Sequence, residues 1–96
     1  MIKRSALRDR GAVKVTFAVP ATEGRVSVVG DFNGWSPLAT PLKARSNGTR
    51  SAAVVLPKGC TYRFRYLAEG GRFFDDDTCD AREPNGYGET HGLLVT

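Results

Sequence analysis

Apolar and polar residues alternate along most of this chain with a period of two. Between positions 13 and 19, Val13, Val15, Phe17 and Val19 fall on one side and Lys14, Thr16 and Ala18 on the other, which predicts a half-buried strand stopped at Pro20. Val26 and Val28 against Ser27 and Val29 predict a second strand ending at Gly30. The clearest strand covers 60–69, with Tyr62, Phe64, Tyr66 and Ala68 facing a core and Arg63, Arg65, Leu67 and Glu69 facing away from it. Shorter strands are expected at 40–44, at 49–56 beyond the Ser46-Asn47-Gly48 turn, at 72–75 beyond Gly70-Gly71, and at 92–96. Positions 75–90 carry Asp, Glu, Pro, Asn and Gly with few apolar side chains and read as a long ordered loop. Helical periodicity is nearly absent.

About seven short antiparallel strands, separated by turn signals, predict an all-β, immunoglobulin-like β-sandwich. The 96 residues suit one such domain. No apolar run is long enough to span a membrane, and no apolar segment follows the first basic residues as a secretory signal would, so the cytoplasm is the expected compartment and no membrane partner is expected.

Charge modifies this picture only at one end. The net charge is +4, and most of it lies in residues 1–10, where Lys3, Arg4, Arg8 and Arg10 face a lone Asp9. A basic N-terminal tail over 1–11 and a nearly neutral folded domain over 12–96 are therefore expected. A tail of this kind is more often solvated than bound to phosphate, so nucleic acid is not an expected partner. Cys60 and Cys79 lack CxxC spacing, and with a single histidine in the chain a tetrahedral zinc site would be short of ligands. A disulfide would require their strands to meet; two half-buried thiols are the simpler expectation. Asp75, Asp76, Asp77 and Asp80 lack the glycine and terminal glutamate of an EF-hand loop and read as a solvated acidic loop, with Arg72 and Arg82 as partners. No metal, no cofactor and no catalytic constellation is expected, and the chain does not read as an enzyme.

The segment Val28-Val29-Gly30-Asp31-Phe32-Asn33-Gly34-Trp35-Ser36-Pro37 is the most specific in the chain. Asn33-Gly34 is a strong tight-turn dipeptide, Phe32 is expected to point inwards, and Trp35 is expected to emerge at a sheet edge, where Pro37 prevents a further central strand. Downstream lie Pro41-Leu42, Leu56-Pro57-Lys58-Gly59, Tyr62, Arg65-Tyr66-Leu67, Glu69-Gly70 and Pro84-Asn85-Gly86-Tyr87-Gly88. In this order the segments resemble carbohydrate-binding module family 48, the early-set domains that precede the barrel in isoamylases and glycogen-branching enzymes. The same family includes the glycogen-binding domain of the AMP-activated kinase β subunit. The resemblance spans roughly residues 12–96.

The resemblance implies an early-set sandwich and a site for α-1,4-linked glucan such as glycogen. Family members stack glucose units on a tryptophan of the turn and on an aromatic just after the acidic-glycine turn, and a basic residue on the intervening strand bonds hydroxyls. By position these roles fall on Trp35, Phe73 and Arg65. Side chains leading into the last strand contribute as well, at Tyr87, Glu89 and His91. Phe73 stands where a tryptophan is usual and His91 where an asparagine is typical. The chemistry is coherent: a pyranose has apolar C–H faces and a hydroxyl rim, which suit a flat aromatic flanked by donors and acceptors. An alternative stays open in which Trp35 only closes the end of the sandwich. The chain would then be a structural or docking domain that associates with another protein, such as a glycan-active enzyme, or with itself.

Overall fold

The computed structural model describes residues 1–7, 11–86 and 88–96. Nine strands follow in chain order: β1 (Ile2–Leu7), β2 (Ala12–Pro20), β3 (Val26–Gly30), β4 (Lys43–Ala44), β5 (Thr49–Pro57), β6 (Thr61–Ala68), β7 (Arg72–Phe74), β8 (Ala81–Pro84) and β9 (Thr90–Val95). They form two antiparallel sheets packed face to face. The first sheet runs β1-β2-β5-β4, and the second runs β3-β6-β9-β8 with β7 also on β6. This is the all-β, immunoglobulin-like sandwich expected, with two more strands than the alternation suggested.

The core is built from the alternation itself. Val13, Val15, Phe17 and Val19 of β2 turn inwards to meet Val26 and Val28 of β3, Phe64, Tyr66 and Ala68 of β6, and Leu94 of β9. Phe17 sits at its centre, with ring centroids 5.3 Å from Phe64 and 5.6 Å from Phe32. Phe32 thus points inwards, as expected from the turn. Phe74 also packs inwards, 5.2 Å from the Tyr66 ring, which leaves Phe73 on the outer side.

Residues 2–7 differ from the frayed basic tail expected of them. They form β1, paired with β2 from Ile2↔Phe17 to Leu7↔Ala12. The strand was hidden because it is an edge: it follows no inward-outward alternation and only Ile2 and Leu7 are partly buried. It is held by its ladder and by tethers to the opposite sheet, where Arg4 pairs with Asp80 and donates from Nε to the Val95 carbonyl at 3.0 Å. Arg8 and Arg10, the remaining basic residues of that stretch, lie outside the described residues.

Positions 75–90 likewise contain an element the composition concealed, since β8 pairs with β9 inside the expected loop. The aspartates there are not simply solvated. Asp76 is buried, accepting from the Tyr66 hydroxyl at 2.5 Å, from Thr78 through both its backbone and its hydroxyl, and from the N-terminal ammonium at 2.7 Å. Burial alone would raise the Asp76 pKa, but these donors outweigh it and hold the carboxyl below its ordinary value. Asp77 pairs with Arg82 as expected, whereas Arg72 pairs with Glu23 instead. Cys60 and Cys79 are free and partly buried.

The two sheets have unlike outer faces. On the first, Lys3, Lys14 and Lys43 surround Ser5, Thr16, Ala18, Ala53 and Val55, and its four strands carry no carboxylate. The outer face of the second sheet carries the candidate site.

Candidate functional site

Strand pairing builds the site. One edge of β6 is shared: Thr61 to Phe64 pair with β9, while Tyr66 to Ala68 pair with β7. Arg65 is the residue between the two partners, on the outward side of the strand. There β7 and β9 part, and the chain segments leading out of β7 and into β9 supply carboxylates to the gap. Arg65 Nε donates to Asp75 Oδ1 at 2.8 Å, and its terminal nitrogen reaches Glu89 Oε2 at 3.4 Å. Asp75 also accepts from the Thr90 hydroxyl at 2.6 Å. The guanidinium lies over the Phe73 ring, 5.4 Å from its centroid. Alternation places Arg65 facing away from the core, yet it is only 8% exposed. Its guanidinium is held by neighbours, so its first task is to position them.

The turn after β3 supplies the second wall. Gly30 is required by close approach: a Cβ there would stand 2.5 Å from the Arg63 carbonyl and 2.9 Å from Phe64 Cβ. Asn33 then knits the turn, donating from its amide nitrogen to the Val28 carbonyl and the Thr40 hydroxyl and accepting from the Gly30 amide. Gly34 takes a left-handed conformation with φ 67°, and Trp35 follows it at φ 59°. For a residue with a bulky side chain that backbone costs about 1–2 kcal/mol, and it is kept only because the surroundings enforce it. The enforcers are visible. Trp35 N donates to the Gly30 carbonyl at 2.9 Å, and its indole Nε1 donates to Asp31 Oδ1 at 3.0 Å. Asp31 Oδ2 in turn accepts from the backbone N–H of Arg63 at 2.9 Å. With its N–H engaged, the indole offers its faces and an exposure of 38%.

The third wall comes from β9 and β8, where Glu83 stands opposite His91. His91 Nε2 and Glu83 Oε1 are 2.5 Å apart, and Arg63 Nε lies 3.2 Å from the same oxygen. The His91 ring packs against Trp35 with centroids 6.4 Å apart and planes at 63°.

Trp35, Arg65, Phe73 and His91 therefore line one open pocket of about 480 Å³, together with Arg63, Asn85 and Glu89. Tyr87, the remaining candidate, lies outside the described residues. Arg63 and Asn85 were not singled out from sequence, although the alternation already places Arg63 on the same face as Arg65. Glu83 was hidden for a different reason, since its contact with His91 depends on β8 being a strand. Phe73 is 45% exposed. Two partly exposed aromatics among fixed carboxylates, guanidinium groups and an imidazole can stack on an apolar ring face and exchange hydrogen bonds with its hydroxyl rim. Among the described residues no group of three or more His, Cys, Asp or Glu side chains is placed to hold a metal ion, and no helix is long and apolar enough to cross a membrane.

An all-β sandwich with an aromatic pocket on one outer face is the class these features define. The chain is also similar, over part of its length, to 1,4-alpha-glucan branching enzymes. The chain is 44% identical over 62 residues to 1,4-alpha-glucan branching enzyme GlgB 2 of Xanthomonas campestris pv. campestris (strain 8004), over 60% of this chain and 8% of the relative. It is 38% identical over 80 residues to the branching enzyme GlgB of Deinococcus radiodurans, over 81% of this chain and 11% of the relative. With GlgB of Paramagnetospirillum magneticum it shares 37% identity over 65 residues, or 65% of this chain and 9% of the relative. The matches thus span about a tenth of the length of these relatives. No protein-family model matches the chain.

Proposed function

We propose that residues 12–96 are an early-set domain of the carbohydrate-binding module 48 type, and that the chain is a non-catalytic module for α-1,4-linked glucan. The observation that carries this reading is the convergence of Trp35, Phe73, Arg65 and His91 on one pocket, although they come from a turn and three different strands. The partial likeness to α-glucan branching enzymes supports the choice of glucan. Trp35 and Phe73 are the stacking platforms. Glu89, His91 and the outer edge of Arg65 meet the hydroxyls. The work of Arg65 is shared between the ligand and the carboxylates it holds. A glycan-active enzyme is the protein partner proposed, and the cytoplasm the compartment.

A shallow aromatic site holds an oligosaccharide weakly, with Kd on the order of 0.1–1 mM, or about 4–5.5 kcal/mol. Glycogen presents many chain ends and raises the apparent affinity through multivalency. Calorimetric titration with maltoheptaose and co-sedimentation with glycogen test the reading. Binding by the native chain that disappears in a folded Trp35→Ala variant is the expected result. No binding in either assay, or binding that Trp35→Ala leaves unchanged, would sink it.

A further inference from the structure

Arg50 on β5 places a donor where the fold offers no acceptor. It stands opposite Val19 on β2 and Ala44 on β4, and pairing with the core residue Val19 turns it to the inner side of the first sheet. Its Nε is buried and has no hydrogen-bond partner among the described residues. A buried guanidinium N–H left unpaired is destabilising, and a bound acceptor would reverse that penalty. Arg50 lines a second open groove of about 640 Å³, which shares no lining residue with the pocket around Trp35.

The groove lies where the edge strands β3 and β4 leave one side of the sandwich open. The connection between these strands crosses the opening: the Val28 N–H donates to the Thr40 carbonyl at 3.0 Å, the Leu42 N–H donates to the Val26 carbonyl at 2.9 Å, and Leu42 enters the core. Pro37, Leu38 and Pro41 are thereby left on the surface of the groove. Leu38 is 86% exposed, more than any other large apolar side chain described. Arg25 and Lys43 join Arg50 as cations, against Glu69 as the one carboxylate among the described lining residues. Glu69 is 3.8 Å from Arg25 in a pair exposed on both sides, and such a pair neutralises little. An apolar wall thus adjoins an uncompensated positive charge.

We infer that this groove docks an extended segment of a partner protein in which a carboxylate lies beside apolar side chains. The carboxylate pairs with Arg50, and the apolar side chains cover Pro37, Leu38 and Pro41. A bare anion such as phosphate would use only the cationic part and leave the apolar wall exposed. A glucan would find no aromatic platform, since no aromatic side chain lines the groove.

The inference does not depend on the glucan reading, and it is tested without a sugar. The isotopically labelled native chain is titrated, with amide shifts followed by NMR, against acetyl-Ser-Leu-Glu-Leu-Ser-amide, its Gln counterpart and inorganic phosphate. The Glu peptide should shift amides in 38–44 and at Arg50, and the Gln peptide should bind about ten-fold more weakly, the loss of one charge-assisted hydrogen bond. Arg50→Met should weaken the Glu peptide by a similar factor while leaving the thermal midpoint no lower than the native one, because a structurally unpaired donor has been removed. Leu38→Ser, at an exposed position, should weaken both peptides alike. Absence of shifts in the groove, equal binding of the two peptides, unchanged binding by Arg50→Met, or phosphate binding as tight as the Glu peptide would each overturn the inference. So would a less stable or unfolded Arg50→Met chain, which would make the guanidinium a structural group.

Discussion

Removing the Arg65 side chain distinguishes a group that merely touches a ligand from one that organises the pocket. In Arg65→Ala the Asp75 carboxylate, whose side chain is 11% exposed, loses the Nε–H bond made at 2.8 Å. Breaking one half of a buried ion pair costs about 3–5 kcal/mol, because the surviving charge stays buried without its partner. Asp75 retains the Thr90 hydroxyl at 2.6 Å, which places the expected loss near the lower limit. The Glu89 arm adds little, since that side chain is 62% exposed and such contacts contribute at most about 1 kcal/mol. The sum is roughly 3 kcal/mol, a large part of the about 5–14 kcal/mol expected for a domain of this size. Urea unfolding at neutral pH, followed by circular dichroism, measures it. The double variant Arg65→Met with Asp75→Leu should recover most of the loss, because neither charge remains to be solvated. A loss below about 1 kcal/mol in Arg65→Ala would refute the reasoning and mark the guanidinium as an exposed ligand contact.

Two further perturbations test the frame. Gly30→Ala drives a methyl group into the Arg63 carbonyl, which as ladder backbone cannot swing aside, and should lower the thermal midpoint by an amount equivalent to about 1–3 kcal/mol; a variant as stable as the native chain would show that the strands do not approach as described. The depressed pKa of Asp76 favours its ionised form in the folded state, so its contribution is present above the unfolded carboxylate value near ~3.9 and lost as pH falls through the lower folded value. Acid unfolding should accordingly be less steep in Asp76→Asn than in the native chain. Tyr66 gives the opposite limb: burial first, then its bond to Asp76, pushes its phenol pKa strongly upward, so native stability should fall as pH rises past about 10 while Tyr66→Phe does not follow.

Strands that bury one face could be read directly from the sequence. β2, β3 and β6 each present apolar side chains at every second position, because one side of each lies against the core. β1 and β8 could not be read in the same way. Both are edge strands whose side chains are mostly solvated on both sides, and backbone pairing together with ion pairs such as Arg4 to Asp80 holds β1 in place. The same difference runs through the site. Trp35, Phe73 and His91 sit at positions picked out by the turn and by family order. Their convergence depends on register, which no single strand encodes. The burial of Arg65 is not legible in the alternation, which says only which side of a strand a residue takes. Whether that side is covered depends on chain arriving from β7 and β9.

The lysine face of the first sheet has a bearing on geometry beyond stability. Lys3, Lys14 and Lys43 and the pocket lie on opposite outer surfaces of the same sandwich, separated by the full core. Whatever rests against the lysines therefore leaves Trp35 and Phe73 facing outwards. One outer surface can be occupied without shielding the other.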